Sequence, residues 1–238
     1  MISGAARRLG AATALALAER GSIIILHYNS SEREAMRTAA KIEESGPSPY
    51  LVQQDLSDPE GARKLFEKLN ELGASPQILI NSAGIYPPSD FGSLEWYQAE
   101  QVFRLNSFAP FALSREFADL PGAESIVNVL DARMVDYDRQ HLAYHLSKRL
   151  LQDLTRILSF ELAPEIRVNG IAPGIILPES DMSAEVIEKY RKGNLLQRIG
   201  TPEEYLQTIL FLLSNEFITG QIIFVDGGRH IRGRFYGN

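Results

Sequence analysis

The feature that most constrains the fold is a regular alternation of short aliphatic runs with longer amphipathic segments. The runs predicted to be buried strands are Ser22–His27, Tyr50–Val52, Gln77–Ile80, Ser125–Leu130, Ile166–Ile171 and Gln221–Val225. The segments with helical spacing are Arg8–Glu19, Glu32–Glu44, Pro59–Leu72, Leu94–Asn106, Tyr144–Leu162 and Pro202–Leu213. This alternation predicts an α/β fold, a Rossmann-type doubly wound parallel sheet flanked by helices on both faces.

The length of 238 residues and a hydrophobic content of 45% predict one domain over residues 1–238. We find no repeat or linker that would divide the chain. Clusters of Pro, Gly and Ser at Ser45–Ser48 and Tyr86–Ser93 are predicted loops, and the second is long enough to reach over a site. Because only Met1 and Ile2 precede the first glycine turn, the first strand is predicted to be truncated.

The composition disfavours several classes of partner. A formal net charge of -6 gives no long-range attraction to nucleic acid or to anionic lipid. The absence of cysteine excludes disulfides, thiol nucleophiles and thiolate metal sites. The sequence has neither a signal-peptide pattern nor an apolar run of about 18 residues that could span a membrane. We therefore expect a cytoplasmic protein with a small-molecule substrate and no nucleic-acid or membrane partner.

A glycine-containing turn, Ser3 to Gly10, precedes the first predicted helix. In open α/β sheets this turn admits the pyrophosphate of a dinucleotide. Gly4 permits a tight turn and Gly10 lets the helix pack closely, while the helix N-terminus directs free amides at phosphate. The turn, with Arg8 and Leu9, is a candidate cofactor site.

The end of the next strand indicates which dinucleotide is bound. NAD-specific folds place Asp or Glu there to bind the ribose hydroxyls, whereas this chain has His27, Tyr28, Asn29 and Ser30. An uncharged strand end with Arg8 nearby would accept a 2′-phosphate, which predicts NADP(H) as the cofactor. Alternatively, the Asn and Ser side chains cap the following helix, a role that is compatible with the first.

Taken together, these residues resemble the short-chain dehydrogenase/reductase family from residue 1 to about residue 229. The family's T-G-x-x-x-G-x-G motif matches Ser3 to Gly10, its adenine-contacting Asp-Leu matches Asp55 and Leu56, its N-N-A-G matches Asn81, Ser82, Ala83 and Gly84, its structural Asn matches Asn106, its Y-x-x-x-K matches Tyr144 and Lys148, its Pro-Gly matches Pro173 and Gly174, and its terminal motifs match Thr219–Gly220 and Val225–Gly228. The resemblance implies that these motifs line the cofactor site.

Tyr144 and Lys148 are the expected catalytic pair. Residues four apart on a helix project from one face and can act on one site. A tyrosine titrates near pH ~10, and a nearby ammonium is expected to lower the pKa of Tyr144 so that it can act as a general acid. By resemblance, Lys148 also holds the nicotinamide ribose, and Asn106 anchors a water chain behind it.

Asp131 stands where most family members carry a catalytic serine, 13 residues before Tyr144. A carboxyl group can protonate a ring nitrogen or bind an amino-substituted heterocycle. Arg8 also replaces the second family glycine, and the pattern resembles the pteridine reductases. That resemblance implies that Arg8, Tyr86 and Asp131 contact a pterin stacked between an aromatic ring and the nicotinamide. Tyr86 is equally compatible with turn filling beside Pro87.

The favoured function is an NADPH-dependent reductase of a pterin or dihydrofolate-like substrate. The enzymatic alternative is a 3-oxoacyl-thioester or other carbonyl reductase, which predicts serine at residue 131. A third hypothesis is a non-catalytic NADP-binding regulatory protein, against which Tyr144, Lys148 and Asn106 argue. We predict no metal site, because His141 and His145 lack a third ligand. By resemblance, Glu179–Leu195 forms a substrate lid and the protein is a homo-oligomer, a tetramer or a dimer.

Overall fold

The computed structural model describes residues 1–178 and 182–232, and within them strands form one parallel sheet in the order β3-β2-β1-β4-β5-β6-β7. The strands are β1 Ile2–Ser3, β2 Ile25–Tyr28, β3 Tyr50–Gln53, β4 Ile78–Asn81, β5 Ser125–Val129, β6 Arg167–Pro173 and β7 Ile222–Val225. The helices are α1 Arg8–Ala18, α2 Glu32–Glu43, α3 Gly61–Glu71, α4 Trp96–Phe103, α5 Ala109–Ala118, α6 Leu142–Glu161, α7 Ala184–Lys192 and α8 Pro202–Ser214. The predicted fold class is confirmed.

The strand order places a topological switch between β1 and β4. From β1 the chain winds outward to β2 and β3, and it then returns to β4 and winds the other way. In such sheets the crevice at the carboxyl ends of the strands is the usual ligand site. In the described structure β1 contains two residues, and Ile2 pairs with both Leu26 and Ile80.

Hydrophobic layers cover both faces of the sheet. Consecutive strand residues point to opposite faces, so Leu26 joins the layer under α1, α2 and α8, whereas Ile25 joins the layer under α3, α5 and α6. Leu79 and Ile80 divide in the same way. This alternation explains why the strands read as continuous apolar runs, because each residue is buried whichever face it points to.

The helical region before β5 differs from its prediction. The predicted helix Leu94–Asn106 is α4 followed by a π-helical turn, Arg104–Phe108, and α5 then continues the helical path. Pro110 lies in the first turn of α5, where its missing N–H costs no hydrogen bond. The sequence analysis missed α5 because the periodicity was assigned to one helix that ended too early.

The predicted lid region, Glu179–Leu195, lies partly outside the described residues, which resume at Met182. Its described part contains α7, a helix that the sequence analysis did not predict. None of the helices in the described ranges combines the length and apolarity that crossing a bilayer requires.

Candidate active site

A cleft of about 900 Å³ lies at the carboxyl ends of the strands, and the glycine turn forms one of its walls. Gly4 has a φ of 67°, and a Cβ there would come within 2.7 Å of the Ala83 Cα. A Cβ on Gly10 would lie 2.4 Å from the Gly4 carbonyl oxygen. Both positions therefore require glycine, which keeps the turn tight against the end of β4.

The N-terminus of α1 suits a phosphate group. Within residues 1–178, no side chain caps its first amides and its first turn has no acidic residue. Free amides and the positive end of the helix dipole favour an anion at this position. Arg7 lies at the N-cap and lines the cleft, a candidate contact that the sequence analysis missed. These features fit the pyrophosphate of a nicotinamide dinucleotide.

His27 holds the glycine turn in place. Its Nδ1 accepts a hydrogen bond from the Gly4 amide at 3.1 Å, and its Nε2 lies 2.9 Å from the Gln54 carbonyl oxygen. The neutral ring with its proton on Nε2 satisfies both contacts. Burial lowers the pKa of His27 to about 4, which favours this neutral form.

Tyr144 and Asp131 form a direct pair. Asp131 follows β5, and its carboxylate accepts hydrogen bonds from the Tyr144 hydroxyl at 2.8 Å and from the Arg133 amide at 2.7 Å. The second bond caps the short helical turn Ala132–Val135, which fixes the Asp131 side chain. The structure thus brings two predicted catalytic residues into contact at the end of the cleft.

The expected lowering of the pKa of Tyr144 is wrong for this structure. Burial and the neighbouring Asp131 carboxylate together raise the pKa well above its ordinary value. Both effects disfavour a phenolate, because it would be desolvated and would face a second negative charge. Tyr144 is therefore held as a protonated donor.

Lys148 is buried one helical turn from Tyr144. Its Nζ donates to the Val129 carbonyl oxygen at 2.7 Å and lies 5.8 Å from the centre of the Tyr144 ring. Burial lowers the pKa of Lys148 to about 8, and Asp131 acts in the opposite direction. Lys148 also lines the cleft. Among the described residues, its ammonium has one protein acceptor, the Val129 carbonyl oxygen.

Asn106 lies in the π-helical turn and makes no hydrogen bond to Lys148 in the described structure. Its Nδ2 donates to the Ile85 carbonyl oxygen at 2.9 Å and to Ser147 Oγ at 3.1 Å, and its Oδ1 accepts from the Ile85 amide at 2.9 Å. The side chain joins the chain after β4 to α6. This arrangement gives Asn106 a positioning contact that the sequence analysis did not predict.

Tyr86 lies beside the catalytic pair. Its ring packs edge-on against Tyr144 with centroids 4.5 Å apart, and it stacks on His141 at 3.8 Å. The Tyr86 hydroxyl contacts Arg133, and burial raises its pKa, so it stays protonated. Tyr86 is thus part of the cleft wall and not merely a loop residue.

Most of the residues proposed from sequence line the cleft. These are Gly4, Arg8, Leu9, Gly10, His27, Tyr28, Asn29, Ser30, Leu56, Ser82, Ala83, Gly84, Tyr86, Asp131, Tyr144, Lys148, Pro173 and Gly174. Arg8 adopts a φ of 54°, a conformation that favours the glycine found there in the family, and its guanidinium donates to the Leu177 carbonyl oxygen at 2.7 Å. The side chain thus reaches the segment after β6.

Two residues proposed as cofactor contacts lie away from the cleft. The Asp55 carboxylate turns back to the amide and hydroxyl of Ser57. Asn81 is buried within the sheet, where its Nδ2 donates to Asn128 Oδ1 at 2.8 Å. In both cases the polar side chain forms a hydrogen bond with a neighbouring protein group. The motif alone does not reveal this hydrogen bond.

Beside Arg7, the cleft contains other residues that the sequence analysis did not propose, among them Arg133, His141 and Tyr190. His141 had been considered only as a metal ligand. In the described structure it contacts Tyr86 and Asp138 instead. No group of three possible metal ligands occurs among the described side chains.

The fold and the cleft define a Rossmann-type dinucleotide-binding protein. The family model described as Enoyl-(Acyl carrier protein) reductase matches residues 4–230. The chain belongs to the short-chain dehydrogenase/reductase family, as the sequence motifs predicted.

Individual relatives are similar over nearly the whole chain. Pteridine reductase 1 of Leishmania tarentolae is 32% identical, with 96% of this chain and 94% of the relative covered. The 3-oxoacyl-[acyl-carrier-protein] reductase FabG of Aquifex aeolicus is 31% identical, with 96% and 95% covered. The structure of FolM Alternative dihydrofolate reductase 1 from Brucella canis, complexed with NADP, is 32% identical with a TM-score of 0.89, and 98% and 94% are covered.

Proposed function

We propose that this chain is an NADPH-dependent reductase that transfers hydride to an oxidised pterin or a dihydrofolate-like heterocycle. The observation that carries the proposal is the Asp131 carboxylate, held 2.8 Å from the Tyr144 hydroxyl. A ketone requires one hydrogen-bond donor at its oxygen. A pterin also presents ring nitrogens and an amino group, which a carboxyl group can protonate or bind.

The cofactor is NADP(H). The strand end from His27 to Ser31 lines the cleft and contains no carboxylate to repel a 2′-phosphate. Arg7 and Arg8 line the same cleft and supply positive charge. The two FolM structures and a ketoreductase structure, which are similar to this chain, contain NADP.

Side chains of the protein would hold the proton and deliver it to the substrate. When bound, NADPH supplies the hydride. The raised pKa of Tyr144 keeps its hydroxyl protonated, and this hydroxyl donates to Asp131. The buried Lys148 ammonium lies beside this pair and offsets negative charge that develops on it. We propose that Tyr144 and Asp131 together deliver the proton to the substrate.

The substrate end of the cleft suits a flat ring. Tyr86 presents an aromatic surface next to the Tyr144 ring, and Arg8 reaches across the cleft to the Leu177 carbonyl oxygen. Aromatic stacking contributes about 1 kcal/mol beyond area burial, which favours a planar heterocycle over a flexible chain. Pteridine reductase 1 and FolM are relatives whose names carry the same substrate class.

The proposal is tested by NADPH oxidation with dihydrobiopterin and, in parallel, with an acetoacetyl thioester. We expect turnover of the pterin and at least about a tenfold lower kcat/KM in Asp131→Ser. Turnover of the thioester alone would reject the pterin assignment. Retention of cofactor binding with loss of turnover in Tyr144→Phe would exclude the regulatory-protein hypothesis.

The second candidate is a 3-oxoacyl-thioester reductase. The similarity to FabG and the description of the matching family model favour it. Asp131 opposes it, because a thioester ketone needs only a hydroxyl donor at that position. Asp131→Ser would then retain or increase thioester turnover, which distinguishes this candidate from the first.

The proposal also covers the setting of the reaction. We propose a cytoplasmic homo-oligomer, a dimer or a tetramer, formed by one domain over residues 1–238. Exposed apolar side chains on α4 and α6, among them Trp96 and Phe160, support an oligomer.

A further inference from the structure

The loop that carries Tyr86 is tied to the N-terminus of the helix that carries Tyr144. The Ser89 amide donates to the Gln140 carbonyl oxygen, and the Leu142 amide donates to the Ser89 carbonyl oxygen, both at 2.7 Å. Ser89 Oγ accepts from the Ala143 amide at 3.1 Å and the residue is buried. These contacts fix the backbone just before and just after the residue at which α6 begins.

A second set of contacts fixes the Tyr86 side chain itself. Its hydroxyl contacts Arg133, lies 2.8 Å from His141 Nδ1 and lies 3.3 Å from Asp138 Oδ2. His141 also stacks on one face of the ring, with an interplanar angle of 15°. The Arg133 guanidinium carbon also lies 5.3 Å from the centre of the Tyr86 ring. A hydroxyl with three partners and a ring stacked on His141 have little freedom to rotate.

Asp138 organises this set. Its Oδ1 accepts from the Gln140 and His141 amides at 2.9 and 3.1 Å, so the carboxylate is fixed to its own loop. Its Oδ2 lies 3.5 Å from Arg133 and 3.3 Å from His141 Nδ1. Oδ1 therefore holds the local backbone, whereas Oδ2 contacts the cluster formed by Tyr86, Arg133 and His141.

We infer that Arg133, Asp138 and His141 are positioning residues that fix the Tyr86 ring beside Tyr144 as a stacking surface for a planar substrate. The substrate class in this inference rests on the proposed function, whereas the fixing of Tyr86 does not. A ring that is already in place loses little conformational freedom when a ligand stacks on it, so affinity for flat ligands rises. The loop that carries Tyr86 is hydrogen-bonded to the helix that carries Tyr144. A substrate stacked on Tyr86 is therefore also held at a fixed distance from the Tyr144 hydroxyl, the proton donor.

The test begins with Asp138→Asn, which keeps Oδ1 as the acceptor for the two amides and replaces Oδ2 with a donor. We expect KM for dihydrobiopterin to rise about fivefold with kcat within about twofold, as loss of stacking predicts. Asp90→Asn is the matched control, because Asp90 caps its own loop through the Gly92 and Ser93 amides and does not contact the cluster in the described structure. A fall in kcat at unchanged KM would overturn the inference.

A double-mutant cycle identifies the target of the three residues. Tyr86→Phe removes the hydroxyl that they hold, so adding Asp138→Asn to it should change KM by less than about twofold. Arg133→Gln should behave like Asp138→Asn and should likewise lose its effect in the Tyr86→Phe background. Independent, multiplicative effects of the two substitutions would show that the cluster does not act through Tyr86.

A readout without substrate separates this inference from the proposed function. The chain contains nine tyrosines, and in protein labelled with 3-fluorotyrosine the ¹⁹F resonance of Tyr86 is assigned by its absence in Tyr86→Phe. Asp138→Asn should shift or broaden that resonance, whereas Asp90→Asn should not. An unchanged resonance would overturn the positioning role whichever substrate is reduced. A shifted resonance with no pterin turnover would retain the positioning role and reject the pterin.

Discussion

His27 is a buried titratable side chain that links the stability of the fold to pH. Its neutral ring joins the Gly4 amide to the Gln54 carbonyl, and its backbone carbonyl accepts from the Ala5 amide at 2.9 Å. The pKa falls from 6.5 to about 4 on folding, so the unfolded chain binds the extra proton first as the pH falls. As the pH falls from about 6.5 to about 4, this residue therefore lowers the free energy of unfolding.

The substitution that tests this role is His27→Gln, because the amide can both accept and donate but cannot titrate. We expect the free energy of unfolding of the variant to fall less than that of the parent between about pH 6.5 and 4. His27→Leu leaves the Gly4 amide without its acceptor, and NADPH affinity should fall about tenfold. Urea titrations and fluorescence titrations measure the two effects. Identical pH profiles for parent and His27→Gln would contradict the assignment.

Lys148 illustrates a conflict between stability and the proposed chemistry. Burial lowers its pKa from 10.5 to about 8, so the charged form is disfavoured in the folded protein. We expect Lys148→Met to raise the free energy of unfolding at pH 7 by about 1 to 3 kcal/mol while activity is lost.

The size of this stabilisation depends on pH. The unfolded chain holds the Lys148 proton between about pH 8 and 10.5 whereas the folded chain releases it, so the stability of the parent rises with pH in that window. The advantage of the variant should therefore shrink towards pH 10.5. Lys41→Met, at an exposed position on α2, is the control. A destabilised Lys148→Met variant would show that the Val129 contact outweighs the buried charge.

At the scale of elements, the π-helical turn between α4 and α5 supports the site. It carries Asn106, whose side chain makes three hydrogen bonds that connect Ile85 to Ser147 on α6. Asn106→Ala should lower the free energy of unfolding by about 2 kcal/mol and raise KM, because the chain leading to Tyr86 loses its anchor. Denaturant titration and steady-state kinetics measure both, with exposed Asn70→Ala as the control. A pure loss of kcat at unchanged stability would instead support a proton relay.

The sequence predicted every strand and most helices because apolar periodicity is a local signal. It misplaced the boundary near Asn106 and missed α5, since α4, the π-helical turn and α5 follow one another without a loop. Motif positions also identified most residues of the cleft. They could not show that Asn81 turns to Asn128, because that pairing depends on which face of β4 the side chain takes.

The direction of the pKa shift of Tyr144 was predicted wrongly for a related reason. The spacing of Tyr144 and Lys148 was visible in the sequence, but the 2.8 Å contact with Asp131 depends on how β5 and α6 pack. Arg133 and His141 were missed because their contacts with Tyr86 join segments distant in sequence. For His141, the Ser89 contacts bring the two segments together. Local patterns therefore identify elements and motifs, whereas contacts between segments distant in sequence determine their chemistry.

At the scale of the whole molecule, α4 and α6 carry large apolar side chains on the surface of the single chain. On α6 these are Leu146, Ile157 and Phe160, which is 83% exposed, and on α4 Trp96 is 82% exposed. The three α6 residues are separated by 11 and 3 positions, which places them along one side of a helix. The two helices also contact each other. Exposed apolar surface of this kind is typical of a subunit interface.

We therefore expect the parent protein to be a dimer or a tetramer, and Phe160→Glu combined with Ile157→Glu to lower its mass. A charge placed in a self-complementary interface is repeated on both subunits, so with two substitutions in each subunit every pair would bury four carboxylates. Light scattering after size-exclusion chromatography at micromolar concentration measures the mass. Ile23→Glu, at an exposed residue before β2, should leave it unchanged. Since α6 also carries Tyr144 and Lys148, dissociation should reduce turnover as well. A monomeric parent would show that this apolar surface is not an interface between copies of the chain.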